Sequence, residues 1–304
     1  MRLTPLHIIF FAAATLALIV PATAADAPST IKVVCWNIEW FPGNFRSSTP
    51  DQAAAHMKLV QSAIREINPD VLLAQEVGSW QAFADLVSAV PGLQPAVVSA
   101  FSSEQTGEYW AQQLAIASKL PVLAAWSEPW KAGEKITPRR GFSAIAAQLP
   151  GSNQVILFYS VHLKSNRSSN DAEAQLNFDT RDESVRQLLQ HVNEMESVMF
   201  KDRVAGVVIG GDFNTNNDGQ FGDSVIRMME EGGFHNSWGK TPRAERLTWR
   251  GDERFEATTF DFMFTKGLGT PKAQLLDGSA EWSDHRPFVL EIEPPKTTTR
   301  TSTP

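Results

Sequence analysis

Val207-Val-Ile-Gly-Gly-Asp-Phe-Asn-Thr215 is the most specific local signal in the chain. A short, β-branched apolar run reads as a buried strand. It ends in two glycines, then in Asp212 and Asn214. Glycine opens backbone conformations closed to other residues, so Gly210 and Gly211 are expected to let the chain bend sharply and aim Asp212 and Asn214 to one side. Strand ends in α/β sheets are where a rigid backbone delivers polar side chains into a crevice. A rival reading takes Asp212-x-Asn214-x-Asn216-x-Asp218-Gly219 as a calcium loop. An EF-hand requires glycine at its sixth position and glutamate at its twelfth. Asn217 and Asp223 stand there, and a strand rather than a helix precedes them, so that reading is set aside.

On both sides of this stretch the pattern alternates strands with helices, without an internal repeat. Residues 31–36 and 71–75 are short apolar runs that read as buried strands. Residues 50–68 read as a helix. Pro50 and Asp51 open it, Met57, Val60, Ile64 and Ile67 recur at helical spacing, and Asn68-Pro69 closes it. A second helix, 79–90, ends at Pro91-Gly92. Strand-like runs follow at 96–101, 114–118, 142–149 and 154–161. The longest helical stretch is 171–199, with Val185, Leu188, Leu189, Val192, Met195 and Met199 as its apolar face and its charges as a solvated face. Beyond the opening strand, 204–210, come a helix near 223–231 and strands at 258–265 and 286–293. Such a mixture implies layered α/β structure.

Polar and ionisable residues recur where these strands end. Asn37 follows the first; its amide oxygen suits a hard cation, and a turn asparagine is the plainer alternative. Glu76 closes the second, where a carboxylate is costly to bury without a cation or donors; an N-cap for the next helix is an equal alternative. His162 ends the run 154–161 and is followed by Lys164, Asn166 and Arg167, a locally positive edge. Asp261 lies inside an aromatic strand and needs a partner. Asp284 and His285 precede the last strand, where they can divide metal ligation from proton transfer.

The ends of the chain set its context. Arg2 precedes an apolar run from Ile8 to Val20, and Ala22-Thr-Ala24 has the small-x-small pattern that signal peptidase reads. Residues 1–24 are therefore expected to be a signal peptide, giving an exported protein, periplasmic or extracellular, with no stable membrane insertion after cleavage. Residues 25–30 and the Thr-rich 294–304 read as disordered ends of one domain, 31–293. Cys35 is the only cysteine, which excludes an intramolecular disulfide and reads as a buried, inert thiol. The net charge is −7; only Arg2 among residues 1–24 is charged, so the remaining 26 basic and 34 acidic residues give −8. That argues against a protein that coats nucleic acid by charge alone.

Taken in order, Trp36-Asn-Ile38, Gln75-Glu76, His162-Leu-Lys-Ser165, Gly211-Asp-Phe-Asn214, Phe260-Asp-Phe262 and Ser283-Asp-His285 resemble the endonuclease/exonuclease/phosphatase superfamily. The resemblance runs from about Ile31 to Glu293. Ala115-Ile-Ala-Ser-Lys-Leu-Pro-Val122 resembles a family segment that precedes a strand. The resemblance implies an α/β fold, a four-layer sandwich of two mixed β-sheets packed face to face with helices outside. It implies Glu76 as principal Mg2+ ligand, with Mn2+ or Ca2+ as alternatives, Asn37 beside it and Asp284 assisting. Asp212 and Asn214 would orient the attacking water and the phosphate. His285 would take the proton or stabilise developing charge, held by Asp261, and His162 would bind a phosphate oxygen or protonate the leaving oxygen. Arg139 or Arg140, with Lys164 and Asn166, would contact phosphate, and Glu108 could orient the middle histidine. The expected activity is in-line hydrolysis of phosphodiesters by a monomer. Nucleic acid, DNA or RNA, is the expected substrate; phospholipid head groups or small phosphorylated metabolites are the alternative. The paired cysteines of vertebrate deoxyribonuclease I and the membrane-docking aromatic insertion of sphingomyelinases have no counterpart in the sequence.

Overall fold

The computed structural model describes residues 30–294 apart from 103–106, 108–111, 134, 135 and 137. The expected signal peptide, most of both expected disordered ends and Glu108 lie outside the described residues.

Twelve strands form two six-stranded sheets. The first sheet holds β1 (Ile31–Phe41), β2 (Val71–Val77), β3 (Gln94–Val98), β4 (Gln113–Ser118), β11 (Lys272–Leu275) and β12 (Phe288–Ile292), in the order β11-β12-β1-β2-β4-β3. The second holds β5 (Val122–Pro129), β6 (Gly141–Gln148), β7 (Val155–His162), β8 (Val204–Asp212), β9 (His235–Asn236) and β10 (Asp261–Lys266), in the order β5-β6-β7-β8-β10-β9. Each sheet has one parallel pair at its centre, β1 with β2 and β7 with β8. All other pairings are antiparallel.

A parallel pair needs a crossover. Helix α1 (Pro50–Ile67) supplies it between β1 and β2, and α3 (Asp171–Glu194) between β7 and β8. Pro50 and Asp51 open α1 as read, and a cap that was not read precedes them. Thr49 caps it in a capping box with Gln52, Pro50 takes a first-turn place, and Asn68 closes it in the left-handed region with its N–H on the Ile64 carbonyl. Helices α2 (Trp80–Val87) and α4 (Val225–Glu231) complete the set among the described residues.

Period-two alternation divides the apolar residues of β1 and β2 between two cores. Val33, Cys35, Val71 and Leu73 face the second sheet. Val34, Trp36, Leu72 and Ala74 face outward, under Val60, Ile64, Phe83 and Leu86 of α1 and α2. Helices outside two facing sheets make the expected four-layer sandwich.

Several expectations need correction. Gly210 and Gly211 do not make a bend, because β8 runs straight through both to Asp212. A Cβ on Gly210 would stand 2.7 Å from a Leu73 methyl of the facing sheet, and one on Gly211 would strike the Val161 carbonyl. Both glycines serve close packing. The helix at 171–199 is α-helical only to Glu194; one π-helical turn, Met195–Met199, follows, and Met199 is exposed instead of lying on the apolar face. Its charges are not all solvated, since Arg181 is fully buried on Asp223 at 2.5 Å. The short edge strands β9 and β11 were not read from the sequence; β9 has two residues, and β11 alternates over only four.

Candidate active site

The parallel pairs bring four of the expected residues to one end of the sandwich. Asn37 lies near the end of β1, Glu76 near the end of β2, His162 ends β7 and Asp212 ends β8. Register sharpens this. His162 stands opposite Asp212 across β7 and β8, and Asp261 stands opposite Asp212 across β8 and β10. Residues directly opposite across a ladder point to the same face. His162, Asp212 and Asp261 therefore form a row across three strands, all buried.

Backbone strain shapes the neighbouring edge. Asn37 pairs with Gln75 and Phe41 with Val77, so β1 carries two extra residues between these points. Glu39 (φ 40°) and Trp40 (φ 50°) occupy that bulge in left-handed conformations, and Glu76 faces it at φ 63°. Such conformations cost about 1–3 kcal/mol each and persist where the surroundings over-determine them. Here the determinants are visible. The Trp40 N–H donates to Glu76 Oε2 at 3.0 Å, and the Glu39 N–H donates to Asn37 Oδ1 at 3.1 Å. Asn37 Nδ2 donates to Glu76 Oε1 (3.3 Å) and Asp212 Oδ2 (3.1 Å), tying the two sheets together. Ser79, not Glu76, caps α2, which removes the capping alternative for Glu76.

His285 is clamped into the row from the other side. Its Nδ1 lies 2.7 Å from Asp261 Oδ2, and its Nε2 lies 3.8 Å from Asp212 Oδ2 and 3.9 Å from Asp284 Oδ1. Ser283 Oγ donates to the Asn37 carbonyl and accepts from the His285 N–H, while Trp36 Nε1 donates to the His285 carbonyl. Thr248 Oγ1 accepts from the Asp261 N–H. The motif Ser283-Asp-His285 thus includes a positioning serine that sequence reading left without a role.

The electrostatics divide the two histidines. Burial lowers the His162 pKa well below the ordinary imidazole value, and Arg140 and then His285 add to this. His162 is therefore neutral. Its Nε2 lies 3.5 Å from Asp212 Oδ2, while its Nδ1 is buried with no hydrogen-bond partner. For His285 burial acts downward, but Asp261, Asp284 and Asp212 outweigh it and hold the pKa well above the ordinary value. Burial pushes the Asp212 carboxyl up to about 7; His285 opposes this and Asp261 reinforces it.

Of the two adjacent arginines, Arg140 belongs to the site. Its guanidinium donates to Gln112 Oε1 (2.8 Å) and to the carbonyls of His162 and Leu163, and it lies within the fields of Glu76 and Asp212. Arg139 is exposed. Lys164 is half-buried; burial lowers its pKa, Glu173 opposes this, and Arg139 and Arg140 reinforce it. Asn166 Nδ2 donates to the Asn214 carbonyl, and its Oδ1 is left without a partner. Asn214, itself left-handed at φ 51°, donates its N–H to Asp212 Oδ1 and its amide to the Leu163 carbonyl.

Sequence reading missed Glu39. Its carboxylate accepts from the Asp284 N–H at 2.9 Å, and its pKa rises to about 7 through burial and then through Asp284, with Glu76 adding to the effect. A buried carboxylate whose pKa is raised by neighbouring carboxylates, as at Glu39, marks a place where a cation is favoured. The carboxylate oxygens of Glu76, Glu39 and Asp284 suit a hard ion such as Mg2+, whereas Asn37, expected beside Glu76 as a ligand, turns its Nδ2 toward Glu76 and gives its oxygen to the Glu39 N–H. Among the described residues no three Asp, Glu, His or Cys side chains form a ready-made cage. Mg2+ needs none, because it keeps several waters and takes one or two carboxylates plus phosphate oxygen.

The loops flanking the centre share a strut. His56 of α1, buried, accepts the Gly43 N–H on Nδ1 (2.7 Å) and reaches the Trp282 carbonyl with Nε2 (2.8 Å). Burial lowers its pKa, and the Trp282 carbonyl opposes this. The folded state thus disfavours the charged form of His56, whereas the unfolded chain takes up a proton as pH falls through about 6.5. Its contribution is complete above that pH and is lost as pH falls below it toward the lower folded-state value. Melting temperature is expected to fall more between about pH 7.5 and about pH 5 in the wild type than in His56→Asn. Equal falls would remove His56 as the titrating group.

A four-layer sandwich with this row of side chains at the ends of its parallel pairs defines the class. The chain belongs to the Endonuclease/Exonuclease/phosphatase family, whose model matches residues 34–285. Members of that family are hydrolases acting on phosphoester bonds. Among solved structures, the chain is similar to the human Nocturnin catalytic domain with bound sulfate (18% identity, TM-score 0.64, 87% of this chain and 93% of that one). It is also similar to SmcL (15%, TM-score 0.64, 88% and 99%) and to truncated Caenorhabditis elegans TDP2 (16%, TM-score 0.59, 87% and 98%). At these identities the likeness establishes the fold alone. No curated protein matches the chain in sequence.

Proposed function

We propose that this protein is a divalent-metal-dependent phosphodiesterase that acts on nucleic acid outside the cytoplasm. The observation that carries the hydrolytic part is the row His162–Asp212–Asp261, closed by His285 on Asp261 at 2.7 Å and set beside the carboxylates of Glu76, Glu39 and Asp284, with Asn37 bridging Glu76 and Asp212. A phosphodiester resists attack because its charge repels nucleophiles; a bound Mg2+ would neutralise that charge and polarise the phosphoryl oxygen.

The remaining steps fall to the chain. Asp212, anchored through Oδ1 on the Asn214 N–H, presents Oδ2 between the two histidines and orients the attacking water. Asn214 fixes that carboxylate, and its own carbonyl is fixed by Asn166. His285, cationic on its buried carboxylate, stabilises negative charge as it develops on the phosphoryl oxygens. Neutral His162 offers its unpartnered nitrogen to a substrate oxygen. Arg140 and Lys164 add positive charge along the same edge. Export rests on the apolar run before Ala24.

The test is a hydrolysis panel of single-stranded DNA, duplex DNA, RNA, sphingomyelin and inositol phosphates, with Mg2+ and with EDTA. Nucleic-acid cleavage abolished by EDTA is expected. The net charge of −8 beyond residue 24 favours a second reading, a small phosphoester substrate, since nonspecific attraction to polyanions is weak. Release of inorganic phosphate or phosphocholine with all nucleic acids intact would establish it in place of the first.

A further inference from the structure

Four aromatic rings stand in sequence beside the catalytic row. Trp249 donates its indole N–H to Asp284 Oδ2 at 3.0 Å. Its ring lies 5.5 Å from that of Phe260, which lies 6.0 Å from Phe221, which lies 6.5 Å from Phe178 on α3. All four are half-buried, and none belongs to or packs against either hydrophobic core. They form a separate strip that starts at Asp284, rounds the loop after Asp212 and ends on α3.

The far end is braced from behind. The Arg181 guanidinium sits 5.2 Å from the Phe178 ring centre and 5.8 Å from that of Phe221, fixed by Asp223 and by the Lys164 carbonyl. Cation–π contact of this kind holds rings in place and polarises them. Beside Phe221 opens a groove of about 380 Å³, walled by Thr215, Asn216, Asn217 and Asp223 and rimmed by Arg227 and Glu230. It begins one residue beyond Asn214. Asn216 is already hydrogen-bonded within the chain, and exposed Asn217 is the amide beside the ring that can meet a planar heterocycle.

Building on the phosphodiesterase reading above, we propose that this strip stacks unpaired nucleobases flanking the scissile phosphodiester, so that the favoured substrate is single-stranded. Between nucleic-acid substrates, charge disfavours duplex more than single strand. An acidic chain lacks the broad positive field that supplies affinity for duplex backbone, and stacking is the other large source, about 1–3 kcal/mol per base and tolerant of sequence. The polar groove wall of Thr215, Asn216 and Asn217 does not suit an acyl chain.

The test uses Phe178→Ala and Phe221→Ala, with Phe178→Leu and Phe221→Leu to retain apolar bulk, on two oligomers of equal length, one single-stranded DNA and one with every base removed. KM for the DNA is expected to rise about tenfold per ring, for leucine as for alanine, with kcat and the base-free KM little changed. Melting temperatures are read alongside. Unchanged KM for DNA, or an equal rise on the base-free oligomer, overturns the strip as a stacking surface while leaving the hydrolytic centre standing. Binding of the wild type to phosphatidylcholine vesicles that the variants lose overturns it in favour of a lipid surface. A wild type that cleaves neither oligomer overturns the nucleic-acid reading itself, and the strip with it.

Discussion

His285→Ala is expected to lower kcat on the cleaved phosphodiester by about 10²- to 10⁴-fold, with a much smaller change in KM. The imidazole is buried, held by Asp261 at 2.7 Å, and kept cationic by three carboxylates once burial has been overcome. Its interaction with substrate therefore grows with the negative charge of the transition state, which is what makes a loss appear in kcat. Removal also leaves Asp261, already without a partner on Oδ1, as a buried carboxylate facing Asp212. A loss of stability should accompany the loss of rate. Asp261→Asn separates the two effects, because it keeps the volume and removes the charge that holds the imidazolium. Its kcat is expected to fall while its melting temperature stays nearer the wild type. Equal turnover by wild type and His285→Ala would contradict the assignment.

Glu76→Gln is expected to raise the Mg2+ concentration for half-maximal activity by at least about 100-fold, the upper end of what loss of an outer partner costs a metal site. Glutamine keeps an oxygen for the Trp40 N–H and the shape of the bulge; what it loses is the charge and the acceptor for Asn37 Nδ2. A readout independent of turnover is available, since an ion that binds only the folded state raises its melting temperature. The wild type should show that rise with Mg2+ and Glu76→Gln should not. An equal rise in both would move the ion to Glu39 and Asp284.

Much of this centre was legible in the sequence because strands that end in polar residues deliver them to one edge. Asn37, Glu76, His162, Asp212, Asp261, Asp284 and His285 were all named on that ground or through the family resemblance, and they meet. What stayed hidden depends on register and backbone strain. That Asp261 stands opposite Asp212, and His162 opposite it on the other side, follows from strand pairing that no local pattern encodes. Glu39 enters through a two-residue bulge between Asn37 and Phe41; alternation along β1 gave no sign of it. Arg139 and Arg140 were indistinguishable as letters, and the left-handed Arg140 backbone (φ 68°) accompanies the separation of one to the surface and the other to the site. The two glycines of β8 were noticed for the wrong reason, because a residue that permits a bend also permits contact. The edge strand β9 is too short to show a period, and the alternation of β11 covers only four residues.

Gln75 is a small feature with a wide reach. Its amide donates to Ser160 Oγ at 3.0 Å, and that hydroxyl donates to the Ala74 carbonyl, so one polar rivet joins β2 to β7 through the apolar seam. One residue beyond lies Glu76, and two residues beyond Ser160 lies His162. Each sheet thus carries half of the chemistry, Asn37, Glu76 and the His285 turn before β12 on one and His162, Asp212 and Asp261 on the other, and only their mating completes it. Inactivation by mild denaturant should then be a slippage between intact halves, with catalysis fading while far-ultraviolet dichroism still reports every helix.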